Sequence, residues 1–161
     1  MPRSSAVPRP APPSACYAHD DPVGLRALMA RLHYRPLWLA IGYALVAATA
    51  WGSLTPVPPE WAFALGDKFL HGATYVLLTF WFGQIYRGAG AQLLLVFVFS
   101  VFGVLLEVGQ AYGSAYRHFD LADAAASALG AVIAWGLLRT AIGGALTRLD
   151  GWLAERASGR A

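Results

Sequence analysis

The sequence predicts an all-α polytopic membrane protein, a four-helix transmembrane bundle with both termini on the cytoplasmic side. Three observations predict it. Only 13% of residues are charged, 57% are hydrophobic and mean hydropathy is +0.49, whereas a soluble domain carries about 25% charged residues. The apolar residues fall into four long uncharged intervals. Lys and Arg gather at alternate ends of those intervals, as in inner-membrane proteins. The formal charge of +3 and the pI near 9.3 do not make a nucleic-acid footprint, because the basic residues sit between apolar runs and form no single patch. No nucleic-acid partner is expected. Cys16 is the only cysteine, so no internal disulfide can form, and no apolar run precedes it as a lipoprotein signal requires.

Along the chain, residues 1–24, "MPRSSAVPRPAPPSACYAHDDPVG", are rich in Pro, Ser and Ala and read as a disordered tail. "MARLHYRPLW", from Met29, also resembles a translation start just ahead of a first span. A membrane domain over 25–142 follows, with spans at about 36–53, 67–86, 90–110 and 120–139. The first span ends near Gly52, before a Pro-rich loop. In the second, between Lys68 and Arg87, the only titratable side chains are His71 and two tyrosines. The third holds "GAGAQLLLVFVFSVFGVLL" between Arg87 and Glu107. The last uncharged run, "AAASALGAVIAWGLL", has 15 residues, short of the roughly 20 a spanning helix needs. The fourth span therefore takes in Leu121 to Asp123 and sets Asp123 at or inside the interface. In 143–161, Leu146, Leu149, Trp152 and Leu153 recur at helical spacing with Arg148 and Arg156 between them. A short helix on the anionic leaflet and a frayed basic tail are both compatible with that pattern.

Orientation follows from the basic residues. Ten of the twelve Lys and Arg fall on the side of the N-terminal tail, the turn at 87–91 and the C-terminal tail; the other side holds Lys68 and Arg117. Both termini are therefore expected in the cytoplasm.

That orientation brings polar residues from three segments to one outer depth. Asp67, Lys68, His71 and Tyr75 open the second span, with Asp67, His71 and Tyr75 at i, i+4, i+8 on one helix face. Glu107 and Gln110 close the third span. Arg117, His118, Asp120, Asp123 and Ser127 lead into the fourth, the last three at i, i+3, i+7. Turning all three stripes inward avoids showing carboxylates to lipid, at roughly 2.5–3.5 kcal/mol each. Ala126 and Gly130 form a small-xxx-small pair suited to close helix contact, within the chain or between chains.

Each residue also has a plainer reading. Asp67 and Asp120 stand where helices begin and can cap them, and Asp120 with Asp123 has capping-box spacing. Lys68 is expected to snorkel to the interface. Glu107 lies at the electrostatically unfavourable end of its helix and needs a partner, with Arg117, Lys68 or His71 as candidates. Three readings stay open for His71: a hydrogen-bonded helix contact, a general acid/base, or a ligand. His71 with Asp67, Glu107, Asp120 and Asp123 would offer nitrogen and oxygen donors to a metal. No HExxH or paired-histidine spacing is present, so the sequence assigns no metal and no cofactor. Ser53, Ser114 and Ser127 lie in no G-x-S-x-G elbow. Trp38, Trp51, Trp61, Trp81 and Trp135 read as interface anchors or core.

The segments "DKFLHGATY", "LLEVGQ" and "RHFDLADAAASALG" together resemble the VanZ-like family of small bacterial integral membrane proteins. The resemblance spans about residues 35–140. It maps the family's polar positions onto Asp67, Lys68, His71 and Tyr75, onto Glu107 and Gln110, and onto Arg117, Asp123 and Gly130. Ser127 stands where Asn is usual, and Gly72 where Phe is common. The resemblance implies a small multi-pass protein of the bacterial inner membrane and fixes no activity; the outer polar cluster itself is read as binding an envelope lipid, a lipid-linked precursor or a membrane-protein partner. Two alternatives stand beside it. One is a membrane enzyme acting on a lipid-linked envelope substrate, with His71 as general acid/base and Glu107 or Asp123 orienting it. The other is a structural scaffold.

Overall fold

The computed structural model describes residues 30–55, 66–113 and 120–159. They form α1 (Arg35–Leu54), α2 (Asp67–Ile85), α3 (Ala89–Gly113), α4 (Leu121–Leu138), a 3-10 turn (Ala141–Gly144) and α5 (Ala145–Ala157). The expected tail at 1–24, Met29, the Pro-rich loop, Trp61, Ser114, Arg117 and His118 lie outside the described residues, as does the side chain of Asp67.

The chain is all-helical among these residues, and three helices are long and apolar enough to cross a membrane: Arg35–Leu54, Ala89–Tyr112 and Leu121–Leu138. At 1.5 Å per residue, their 20, 24 and 18 residues reach about 27–36 Å, close to the roughly 30 Å of the hydrocarbon layer. Their outer surfaces carry exposed Leu37, Leu94, Phe97, Leu105, Leu129 and Val132, among others. Such an uninterrupted apolar exterior suits lipid and would be a liability in water.

The central helix is α2, which the other four all touch. It is more polar than the three spans, carrying Asp67, Lys68, His71, Thr79 and Gln84. Enclosure by neighbours explains how it tolerates them: Tyr75, Leu78, Thr79, Phe82, Gln84 and Ile85 are all buried. Lipid tails are as apolar as leucine, so helix association here depends on close contact and polar links more than on hydrophobic burial. The Ala126–Gly130 pair of α4 serves contact within the chain. A Cβ on Gly130 would run into the carbonyl of Gly72, and a Cβ on Gly72 would meet the Ala126 carbonyl at 3.6 Å. Gly130 is what lets α4 approach α2 backbone to backbone, while a Cβ at Gly72 would make an ordinary contact. Above this contact, Tyr75, Leu78, Phe82 and Phe99 form an aromatic core with Phe102 and Leu45 around it.

At the opposite end from the polar cluster, α5 docks beneath α1 and α2. It is a formed helix, with buried Leu146 and Asp150 on one face and half-exposed Leu149 and Trp152 on the other. Asp150 accepts hydrogen bonds from the backbone N–H of His33 (2.6 Å) and Tyr34 (3.0 Å) and from Trp38 Nε1 (2.7 Å). His33 Nδ1 lies 3.1 Å from the same carboxylate. α1 begins at Tyr34 without a side-chain cap of its own, and Asp150 supplies that cap from across the fold, negative charge against the positive end of the helix. In return, Gln84 of α2 accepts from the Leu146 N–H at 2.8 Å and caps α5, where Gly144 has no side chain to do so. Trp38 and Trp81 are thus not interface anchors. Trp38 is buried on Asp150, and Trp81 Nε1 donates to the Trp38 carbonyl at 3.0 Å.

Two outcomes follow for unfolding of the detergent-solubilised protein. Gly130→Ala must push α4 off α2 and should cost about 1–3 kcal/mol, whereas Gly136→Ala, with nothing within 4 Å, should be neutral or stabilise by up to about 1 kcal/mol. Thermal melts of the pair check this. Burial pushes the Asp150 carboxyl up, but the donors from Trp38, Tyr34 and His33 outweigh it and leave the group below the ordinary carboxylate range. A depressed folded value means that the stabilisation is complete above the unfolded value and is lost as pH falls through the folded one. Release of α5, read as amide exchange over 145–157 corrected for its intrinsic pH dependence, should therefore increase below about pH 4, and Asp150→Ala, at a cost of about 2–3 kcal/mol, should release α5 at every pH.

Candidate functional site

At the end remote from α5, Gly66 takes a left-handed backbone (φ 76°), which turns the chain into α2. This places Lys68 and His71 in the first two turns of α2, beside the start of α4. Asp120 precedes α4 with extended backbone, and its Oδ1 accepts from the Ala122 N–H at 2.7 Å. It is a true N-cap. The capping-box expectation for Asp120 and Asp123 is not met. In that motif the third helical residue would reach back to the cap's N–H. Here the Asp120 N–H donates to Glu107 Oε1 of α3 at 2.8 Å, and Asp123 faces Lys68.

Lys68 does not simply snorkel. Its Nζ donates to Asp120 Oδ2 at 2.7 Å and to Asp123 Oδ1 at 3.1 Å, clamping the start of α2 to the start of α4. Its hydrogen bond, followed by the Ala122 N–H, holds the Asp120 carboxyl below the usual range. Lys68 and Asp120 form the exposed rim of the cluster, 57% and 48% accessible, while Asp123 at 6% lies beneath them.

Deeper in, Glu107 is 4% exposed. Its Oε1 holds the Asp120 N–H, while its Oε2 is buried with no hydrogen-bond partner among the described residues. His71, half-buried on α2, completes the group: ligand atoms of His71, Glu107 and Asp123 all lie within 4.8 Å of one another. Below them Ser127 donates to the Asp123 carbonyl at 2.9 Å and is linked by a side-chain hydrogen bond to the buried Tyr75. Gly103 of α3 makes room for both, because a Cβ there would stand 2.8 Å from Ser127 and 3.2 Å from Tyr75.

Of the residues expected at the site, Lys68, His71, Tyr75, Glu107, Asp120, Asp123 and Ser127 come together. Gln110 does not join them. It is buried, and its Nε2 donates to the Ser53 carbonyl at 2.7 Å, tying α3 to the end of α1. Arg117 as partner of Glu107 lies outside the described residues. Gly103 gave no sequence signal. Asp150, at the other end, did give one: it stands four residues after Leu146, on the apolar stripe of an amphipathic helix. An acid at such a position must meet buried donors.

Chemically, the cluster presents an imidazole and two carboxylates behind an accessible ion-paired rim. It can accept hydrogen bonds from a ligand, hold a cation, or move a proton through His71. Comparison with family models, curated proteins and solved structures gives no match for this chain.

Glu107→Gln keeps an oxygen for the Asp120 N–H and removes a charge that the described residues leave half-answered. A buried, half-satisfied carboxylate is costly. The variant should therefore melt at or above the parent temperature in ligand-free detergent solution. Lys68→Met should lower the melting temperature, because besides the exposed pair with Asp120 it leaves the buried Asp123 without its Nζ donor. Differential scanning calorimetry of the two checks both.

Proposed function

We propose that the chain is a VanZ-like integral membrane protein of the bacterial cell envelope. In this reading it binds the polar head of an envelope lipid, a lipid-linked precursor or a membrane-protein partner at the outer membrane face. The family reading is supported by Asp67, Lys68, His71 and Tyr75 opening α2, Glu107 and Gln110 closing α3, and Asp123 and Gly130 on α4. All four long helices cross the inner membrane, α2 sheltered among the other three. The α5 end, with Arg31, Arg35, Arg87, Arg139, Arg148 and Arg156, faces the cytoplasm, so both termini do. At that surface α5 presents Leu149 and Trp152, the latter 4.0 Å beneath the Arg156 guanidinium, in the manner of an interfacial helix.

One observation carries the binding reading: a 4%-exposed glutamate with an oxygen that its own described surroundings do not satisfy, set behind an accessible rim. A purely structural network closes its own hydrogen bonds. Among the described residues this one leaves Glu107 Oε2 unanswered.

Native mass spectrometry of protein extracted from its own membranes tests the reading. One lipid or lipid-linked molecule per chain is expected. Loss of a charge-assisted contact in Glu107→Gln or His71→Ala should weaken retention about tenfold or more. Lipid-free protein, or equal occupancy in the variants, would contradict it. The enzyme reading is favoured by the closeness of His71 to two carboxylates, the arrangement of an oriented general base. It requires in addition that purified protein convert lipid-linked envelope precursors and that His71→Ala not do so.

A further inference from the structure

We propose that His71, Glu107 and Asp123 form a site for one divalent cation of the Zn2+ or Mn2+ class. The three side chains come from three helices, and their ligand atoms lie within 4.8 Å of one another. Metal–ligand bonds of about 2.0–2.2 Å place neighbouring donors of a tetrahedral shell about 3.4 Å apart, so side-chain rotation alone closes the triangle. The Oε2 of Glu107, with no hydrogen-bond partner among the described residues, points independently to a cation. It is buried on a side chain that is ordinarily negatively charged. Lys68, the described cation nearest the cluster, is already engaged by Asp120 and Asp123.

The surroundings are those of a ligand shell. A carboxylate that binds a metal is oriented by donors outside the shell. Glu107 is held through Oε1 by the Asp120 N–H, and Asp123 through Oδ1 by Lys68 Nζ. The donor set selects the ion: an imidazole nitrogen suits Zn2+, and two carboxylates keep Mn2+ within reach. Three protein ligands leave at least one coordination position open, as in sites that hold water or a substrate oxygen. The half-exposed rim of Lys68 and Asp120 provides the route in. The site deepens the head-group reading, because a bound cation would let a net acidic cluster accept a phosphate or carboxylate oxygen. It is tested without lipid, so the two proposals fail separately.

The experiment uses full-length protein in detergent, stripped with chelator and dialysed against Zn2+ or Mn2+ in separate arms, with bound metal measured by elemental analysis. About one equivalent of at least one ion per chain is expected. Glu107→Gln and His71→Ala should bind at least tenfold more weakly while eluting as monodisperse protein, and His33→Ala, at the far end, should bind like the parent. Co2+ serves as a probe that needs no variant: the parent should give visible d–d bands of a nitrogen–oxygen shell, removed by added Zn2+. No stoichiometric binding in either arm, binding that survives Glu107→Gln, loss on His33→Ala, or Co2+ bands absent from the parent would each overturn the site.

Discussion

Close backbone contact between α2 and α4, made by Gly72 against Ala126 and Gly130, is the constraint on which the rest of this bundle depends. It fixes the depth at which the two helices start. Lys68 can then reach both Asp120 and Asp123, and His71 can stand beside Asp123. A bulkier residue at Gly130 would separate the helices and open the cluster before any charged residue was altered. α3 enters the same register from the other side, through Gly103 against Ser127 and Tyr75 and through the Glu107–Asp120 hydrogen bond. Small residues set the distances, and polar side chains then use them.

The two ends of the bundle handle buried acids differently. Asp150 is satisfied by three or four donors that the fold itself provides, and the outcome is a docked helix and a capped one. Glu107 receives one donor on one oxygen and none from the described residues on the other. The same side-chain chemistry closes one end and leaves the other ready for something from outside. That asymmetry distinguishes the two carboxylates more clearly than burial, which is nearly complete for both.

Much of the fold was legible in the sequence because a membrane chain advertises its helices as uncharged runs, and the helical class follows from them directly. The meeting of His71, Glu107 and Asp123 was legible only as a shared depth. Spacing along one helix says which face a residue occupies, but not which neighbour's face it meets. Three details turned on that missing information. Lys68 found two acids on α4, where the sequence alone favoured a side chain lifted to the interface. Asp123 answered Lys68 in place of the Asp120 N–H, which went to Glu107. Gln110 crossed to α1 instead of facing the cluster. Donors for a metal could be named from the sequence, but no spacing motif singled out His71, Glu107 and Asp123 among them, because they stand on three helices.

The central claim is that the Glu107 carboxylate is completed by a ligand from outside the chain. The most direct measurement is an experimental structure of the protein in a lipid bilayer, at a resolution that places side chains and ordered ions. Non-protein density in contact with Glu107 Oε2 and shared with His71 and Asp123 is the expected result. A donor of the chain's own, such as the Arg117 guanidinium, seated on Oε2 with no room left for a ligand would contradict it.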